Sequence, residues 1–326
     1  MKTRRLGKTE IQVSELVLGG GYVGGVLLHQ DDETKRLAIE CALKAGINFI
    51  DTAPSYGDGQ SEQNLGWLLQ EIDQTPYLST KVAIDASTRH DLAGQIERSL
   101  HDSLIRLQRE SVDVLQLHNP LGLNDDGPML AVRHLFDKKG IIKALDNVRS
   151  QGLTKYIGFT SLGEIDPCRR AIESGAFDTA QIYYNLLNPS AGRDMPLNWE
   201  GQRFTGLIES CRAHDVGVMN IRVFAAGILA TRLRTGREIP ITSEKDLSRE
   251  EKRADAIFSE LSKDNHTHAQ TALRFSLANE SISCVLIGVA NLNELDEAIT
   301  GALSGPLPKS VISRLEKVYN LNFGLH

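Results

Sequence analysis

Four reactive side chains bear on one another in this sequence. Asp51 closes the apolar run Phe49-Ile50, Lys81 follows Leu78-Ser79-Thr80, and His118 ends the run Val112–Leu117. A charge buried alone in such a place is costly, so Asp51 and Lys81 are expected to pair. Tyr56 lies in the turn Asp51-Thr52-Ala53-Pro54-Ser55-Tyr56-Gly57, where Pro54 and Gly57 can fix a bend that aims the phenol inward. A free phenol ionises near pH 10, about three units too high for easy proton transfer at neutral pH. An ammonium beside it favours the phenolate, and a carboxylate can hold that ammonium in place. His118 can then orient an oxygen or share its proton. The four together make an acid–base device for an oxygen that gains or loses negative charge. Taken singly, the ionisable three also read as a strand-end ion pair and a histidine closing the core.

These residues need rigid elements to aim them. Eight short apolar runs read as buried parallel strands: Leu16–Gly20, Asn48–Thr52, Tyr77–Val82, Val112–His118, Lys155–Thr160, Ala180–Tyr184, Gly217–Arg222 and Cys284–Gly288. Helical patterns lie between them at Glu33–Ala45, Leu92–Leu107, Phe204–Ala213 and Leu292–Leu303, and across Arg133–Gln151 with a break at Gly140. Parallel strands need such crossovers. Eight units predict an α/β fold of one domain, residues 1–326: a closed (β/α)8 TIM barrel whose C-terminal strand ends carry the site. An open doubly wound sheet is the alternative. Thr3–Arg5 and Ile11–Val13 predict an N-terminal β-hairpin turning near Gly7. The polar stretch Thr231–Arg253, with Gly236 and Pro240, predicts a long loop or lid.

The run from Gly46 to Gly66 resembles the signature of the aldo-keto reductase superfamily, as do Leu78-Ser-Thr-Lys81-Val and Val112-Asp-Val-Leu-Gln-Leu-His118. The resemblance spans nearly the whole chain. It implies a barrel that binds NAD(H) or NADP(H) without a Rossmann domain, and no G-x-G-x-x-G follows a strand here. It implies Tyr56 as general acid or base, Lys81 as its cation, Asp51 as anchor and His118 as the group that positions the substrate carbonyl. Thr160, Ser161 and Gln181 would hold the nicotinamide carboxamide, although the family usually has Asn where Ser161 stands. After the seventh strand, Ile221 replaces the tyrosine that many members stack on the ring. Arg222 falls where a small polar residue usually meets the pyrophosphate, Phe224 and Ala226 after it are further candidate cofactor contacts, and Gly288, Glu294 and Glu297 fall near the adenosine end. The spelling Asp-Thr-Ala-Pro resembles the branch with aldose, L-fucose, L-galactose and pyridoxal dehydrogenases.

A net charge of −6 gives no reason to expect nucleic acid, and no apolar run approaches the length of a membrane span. The four cysteines are scattered, which predicts buried reduced thiols in a cytoplasmic protein and neither zinc nor disulfides. The expected partner is a small carbonyl or alcohol. Tyr22, Val23 and Asn119–Leu121 are candidate substrate contacts, with Trp199 and part of Thr231–Arg253 closing over them. No Lys or Arg stands between Arg274 and Lys309, while Glu294, Asp296 and Glu297 are acidic, which predicts a preference for NAD(H). The pattern leaves two further readings open: a cofactor-binding regulatory or sensor barrel with little turnover, and a lyase or isomerase. Substrate, reaction direction and oligomeric state are not specified.

Overall fold

The computed structural model describes residues 1–234, 236–239, 247–261 and 266–325. Strands β1 (Thr3–Arg5) and β2 (Gln12–Ser14) form an antiparallel hairpin, with Thr3 opposite Ser14. The second strand starts one residue beyond Ile11, whose carbonyl accepts the Leu6 N–H at 3.1 Å inside the turn. Then come β3 (Leu16–Gly19), β4 (Phe49–Asp51), β5 (Tyr77–Val82) and β6 (Val112–Leu117). Two-residue strands β7 (Leu121–Gly122) and β8 (Leu130–Ala131) pair beside them. The series ends with β9 (Thr154–Ser161), β10 (Thr179–Tyr183), β11 (Gly217–Ile221) and β12 (Cys284–Ile287). Apart from the hairpin and the β7–β8 pair, the strands join in chain order. β12 closes onto β3, with Val285 opposite Leu16. Eight parallel strands therefore make a closed barrel, and the open sheet is excluded.

Helices α1 (Val26–His29) and α2 (Asp32–Lys44) follow β3, α3 (Gln60–Leu68) follows β4, and α4 (Leu92–Leu107) follows β5. After β8 come α5 (Arg133–Phe136) and α6 (Ile141–Ser150), divided at Gly140. β9 leads to α7 (Ile165–Glu173) and β10 to α8 (Leu207–Ala213). α9 (Leu247–Glu260) and α10 (His268–Leu277) follow β11, while α11 (Leu292–Leu303) and α12 (Lys309–Asn320) follow β12. Caps set several starts. Asp31 accepts the Thr34 N–H ahead of α2, and Thr267 and Gln270 form a reciprocal capping box on α10. In α4, Ile96, Leu100, Leu104 and Leu107 make the buried stripe.

Because successive strand residues face opposite ways, the barrel has two cores. Leu16, Leu18, Ile50, Leu115 and Leu117 point outward to the helices. Val17, Phe49, Val114, Met219, Cys284 and Leu286 fill the interior, and Leu6, Ile11 and Val13 of the hairpin region close it from below. Two expectations are corrected. Thr231–Arg253 is not loop throughout, since it is helical from Leu247 and Arg253 is buried against the ring of Phe323. Residues 235 and 240–246 of that stretch lie outside the described residues. Cys41 is exposed on α2, whereas the other three cysteines are buried, and all four are free. No helix among the described residues is long and apolar enough to cross a membrane.

Candidate active site

Two residues above Phe49, on the same inward face of β4, stands Asp51. The same alternation brings Ser79 and Lys81 inward from β5, Gln116 from β6, Thr160 from β9 and Gln181 from β10. The inner face thus changes from apolar to polar toward the C-terminal ends of the strands. His118 lies one residue past β6, its N–H tied to the Val82 carbonyl at 2.8 Å. Tyr56 arrives from the turn after β4, which Gly57 continues in a left-handed conformation (φ 62°) open to glycine.

Lys81 is the centre of the site. Its Nζ donates to Asp51 Oδ2 at 2.6 Å, to the Thr52 carbonyl at 2.7 Å and to Tyr56 Oη at 3.2 Å. Burial alone would push this ammonium down, but the Asp51 carboxylate and the Tyr56 phenol beside it outweigh burial and hold it above its ordinary value. The other carboxylate oxygen, Asp51 Oδ1, accepts three neutral donors: Ser79 Oγ at 2.5 Å, Gln181 Nε2 at 3.0 Å and Gln116 Nε2 at 3.1 Å. The His118 ring meets that of Tyr56 edge to face, with centroids 6.0 Å apart. Burial, aided by the Lys81 charge, pulls the His118 imidazole down to about 3, so it is neutral at physiological pH. The arrangement can stabilise negative charge on one phenol oxygen and offer a neutral imidazole beside it.

Around the tetrad, Thr160 Oγ1 reaches Gln181 Oε1 at 3.4 Å, and the buried Ser161 Oγ finds no oxygen or nitrogen partner among the described residues. Ile221 packs at the edge of the interior core. Arg222, Ala225 and Ala226 all take left-handed backbone conformations (φ 61°, 46° and 58°), a strained turn pinned where Asn185 Nδ2 donates to the Arg222 carbonyl at 2.8 Å. The Arg222 guanidinium donates to the Ile239 carbonyl at 2.7 Å and lies within electrostatic reach of the Tyr183 and Tyr56 phenols. Phe224 is half-buried against the outer core, and Gly288 is exposed. Glu294 turns back on its own helix end, accepting the Ala290 N–H at 2.7 Å and the Asn291 amide at 3.2 Å. Glu297 is half-buried beside it on α11, and its carbonyl accepts Gln270 Nε2.

Of the candidate substrate contacts, Tyr22 is exposed and packs edge-on against His29. Asn119 grips both the N–H (2.7 Å) and the carbonyl (3.0 Å) of Ile84, locking the loop after β6 to that after β5. Trp199 is buried under Arg203. A cavity of about 180 Å³ lies between the loop after β11 and α9 and α10, lined by Arg232, Arg234, Phe258 and His268 among others. No tetrad residue lines it. Sequence reasoning missed Ser79 and Gln116 as part of the site, although each is two residues from a tetrad member on one strand face. It also missed Glu62, which is fully buried behind the barrel and ties Thr80 Oγ1 (2.5 Å) to Arg106 Nε (2.7 Å).

Comparison with known proteins bears on the fold and the family. Over its full length the chain is 26% identical to L-galactose dehydrogenase of Arabidopsis thaliana, covering 98% of that relative. It is 28% identical to D-threo-aldose 1-dehydrogenase of Pseudomonas sp across 68% of each chain. Pyridoxal 4-dehydrogenase of Microbacterium luteolum is 25% identical across 91% of each. The fold is that of aldo-keto reductase AKR11C1 from Bacillus halodurans (holo form), at TM-score 0.74 and 22% identity, covering 98% of this chain and 96% of the other. Residues 15–320 match the model of the Aldo/keto reductase family, so the chain belongs to that family and is an oxidoreductase.

Proposed function

We propose that the chain interconverts a small carbonyl compound and its alcohol with a nicotinamide cofactor, Tyr56 giving the proton to the carbonyl oxygen in reduction and removing it in oxidation. The observation that carries this reading is the Lys81 ammonium lodged between Asp51 and the Tyr56 oxygen. A cation 3.2 Å away stabilises the phenolate that remains once Tyr56 has released its proton. Asp51 holds that cation in place, and Thr52 fixes its third direction. His118, being neutral, donates a hydrogen bond to the substrate oxygen and so orients it, without supplying the proton itself.

The residues present fit a nicotinamide cofactor. The buried Ser161 hydroxyl, without an oxygen or nitrogen partner among the described residues, and the Thr160–Gln181 pair offer donors and acceptors to a carboxamide. Ile221 supplies an apolar face, while Arg222 with the strained turn through Phe224 and Ala226 offers a cation and backbone N–H groups to a pyrophosphate. When bound, the cofactor supplies or accepts the hydride. At the adenosine end beside Gly288, the Glu294 carboxylate already occupies the N-terminus of α11, with Glu297 behind it. That helix end would otherwise attract a phosphate, which supports NAD(H) over NADP(H). The named relatives support a sugar or a ring-bearing hydroxy-carbonyl compound as substrate, with Tyr22 and Asn119 at the rim. The test is Tyr56→Phe: turnover on a panel of L-galactose, other aldoses and pyridoxal should fall by about 10²–10⁴ while the cofactor Kd is unchanged. Near-normal turnover would remove Tyr56 from the reaction.

A further inference from the structure

The reaction outlined above leaves Gln116 without a duty, yet its side chain is fully buried in the barrel interior. Its Nε2 donates to Asp51 Oδ1 at 3.1 Å, while its Oε1, also buried, has no partner among the described residues. A buried carbonyl without a donor carries a desolvation penalty. Turning the amide over would not help, because Oε1 would then oppose a carboxylate oxygen. The charge of Asp51 therefore dictates how this amide points. The neighbouring strands make room for it. Gln116 stands opposite Lys81 on β5 and Gly158 on β9. A side chain at Gly158 would begin 2.2 Å from Thr179 Oγ1 and 3.3 Å from Gln116 Cγ, so a larger residue there would clash with Thr179 and press on the glutamine.

Asp51 and Lys81 act on Tyr56 with opposite sign. Whatever offsets the carboxylate's charge leaves more of the ammonium's charge to act on the phenol oxygen. Three dipoles point their positive ends at Asp51 Oδ1. Gln181 also faces Thr160, in the group assigned above to the carboxamide, whereas Gln116 serves Asp51 alone. We infer that Gln116 is a positioning residue that spends its amide dipole on Asp51 and thereby makes Tyr56 a readier proton donor. The inference rests on the reading of Tyr56 as the acid–base group.

The test uses Gln116→Met, which keeps length and burial but removes the dipole. Ionisation of Tyr56 is followed in the cofactor-free protein by near-ultraviolet phenolate absorbance, as the difference between each protein and its Tyr56→Phe counterpart. The pH–rate profile, the cofactor Kd and the melting temperature are measured alongside. The phenolate transition and the alkaline limb should both move upward by roughly half to one pH unit, with the cofactor Kd unchanged. A folded Gln116→Met protein whose transition stays at the wild-type position overturns the inference. Should that variant fail to fold, Gln116→Leu answers the same question. Its side chain likewise offers Asp51 no dipole and should raise the transition by a similar amount, and a transition at or below the wild-type position overturns the inference. If activity survives Tyr56→Phe, the acid–base reading fails and takes this inference with it. If activity is lost there and the transition is unmoved by Gln116 variants, the inference alone fails.

Discussion

Replacing Lys81 by methionine gives the sharpest test of the site, because its expected size follows from two distances. At an effective dielectric of about 20, a unit charge 3.2 Å from the phenol oxygen favours the phenolate by about 5 kcal/mol. Asp51 Oδ2 lies 2.6 Å from the same ammonium, hence at most about 5.8 Å (the sum of the two contacts) from the phenol, and opposes by about 3 kcal/mol or more. The pair together therefore favours the phenolate by about 2 kcal/mol at most, which is about 1.5 pH units. Removing both charges, in Asp51→Asn with Lys81→Met, should raise the alkaline limb of the reduction profile by about that amount. Lys81→Met alone should raise it further, because the Asp51 carboxylate keeps its three neutral donors but no longer has an ammonium between it and the phenol. The assay is kcat/KM against pH for both variants with one aldehyde and saturating cofactor. A double variant that shifts as far as the single one, or no shift in either, would refute the electrostatic argument.

Titration calorimetry should find NADH bound more tightly than NADPH, and Glu294→Arg should narrow the gap by about tenfold or more, one charge-assisted hydrogen bond's worth; tighter NADPH binding by the unaltered protein would defeat the argument from α11. His118, neutral in the fold down to about pH 3, takes a proton on unfolding below about 6.5, so stability is lost as pH falls through that window. Urea melts should show wild type losing about 2 kcal/mol more than His118→Gln between about pH 6.5 and 5, and parallel curves would remove this contribution. Arg106→Met should cost about 3–5 kcal/mol, since it leaves the fully buried Glu62 with only Thr80; a loss below about 1 kcal/mol would mean that this ion pair is not structural.

All eight barrel strands are legible in the sequence because a strand buried on both faces has little choice but to be apolar. The helices divide by what they bury. α4 and α11 show an apolar stripe and are read to the residue. α3 buries Ser61, Glu62 and Gly66 beside its leucines, so no hydrophobic period reveals it. α10 is hidden for the opposite reason: Ala269 and all of Thr271–Leu277 are buried, which leaves no polar face for contrast. Pro167 disguises α7, although a proline in the first turn interrupts no hydrogen bond. In the site, Asp51, Tyr56, Lys81 and His118 are conspicuous because ionisable groups at strand ends are expensive. Gln116 is not, since a neutral amide in an apolar run raises no such alarm until its strand face is known. The turn after β11 is the least legible part, because three of its positive-φ residues are Arg222, Ala225 and Ala226, with a glycine only at Gly227.

The hairpin below the barrel has a consequence for where protons can travel. Leu6 and Val13 stop the lower opening, and above them Phe49, Met219 and Cys284 fill the bore with side chains that no water reaches. A vessel stoppered at one end has a single doorway. With Tyr56 as the acid–base group proposed above, every proton it hands over would be replaced from bulk water at the rim, along the path by which substrate would enter and product leave. A ligand filling that rim would cork the vessel, and Tyr56 would be recharged only after the product has gone.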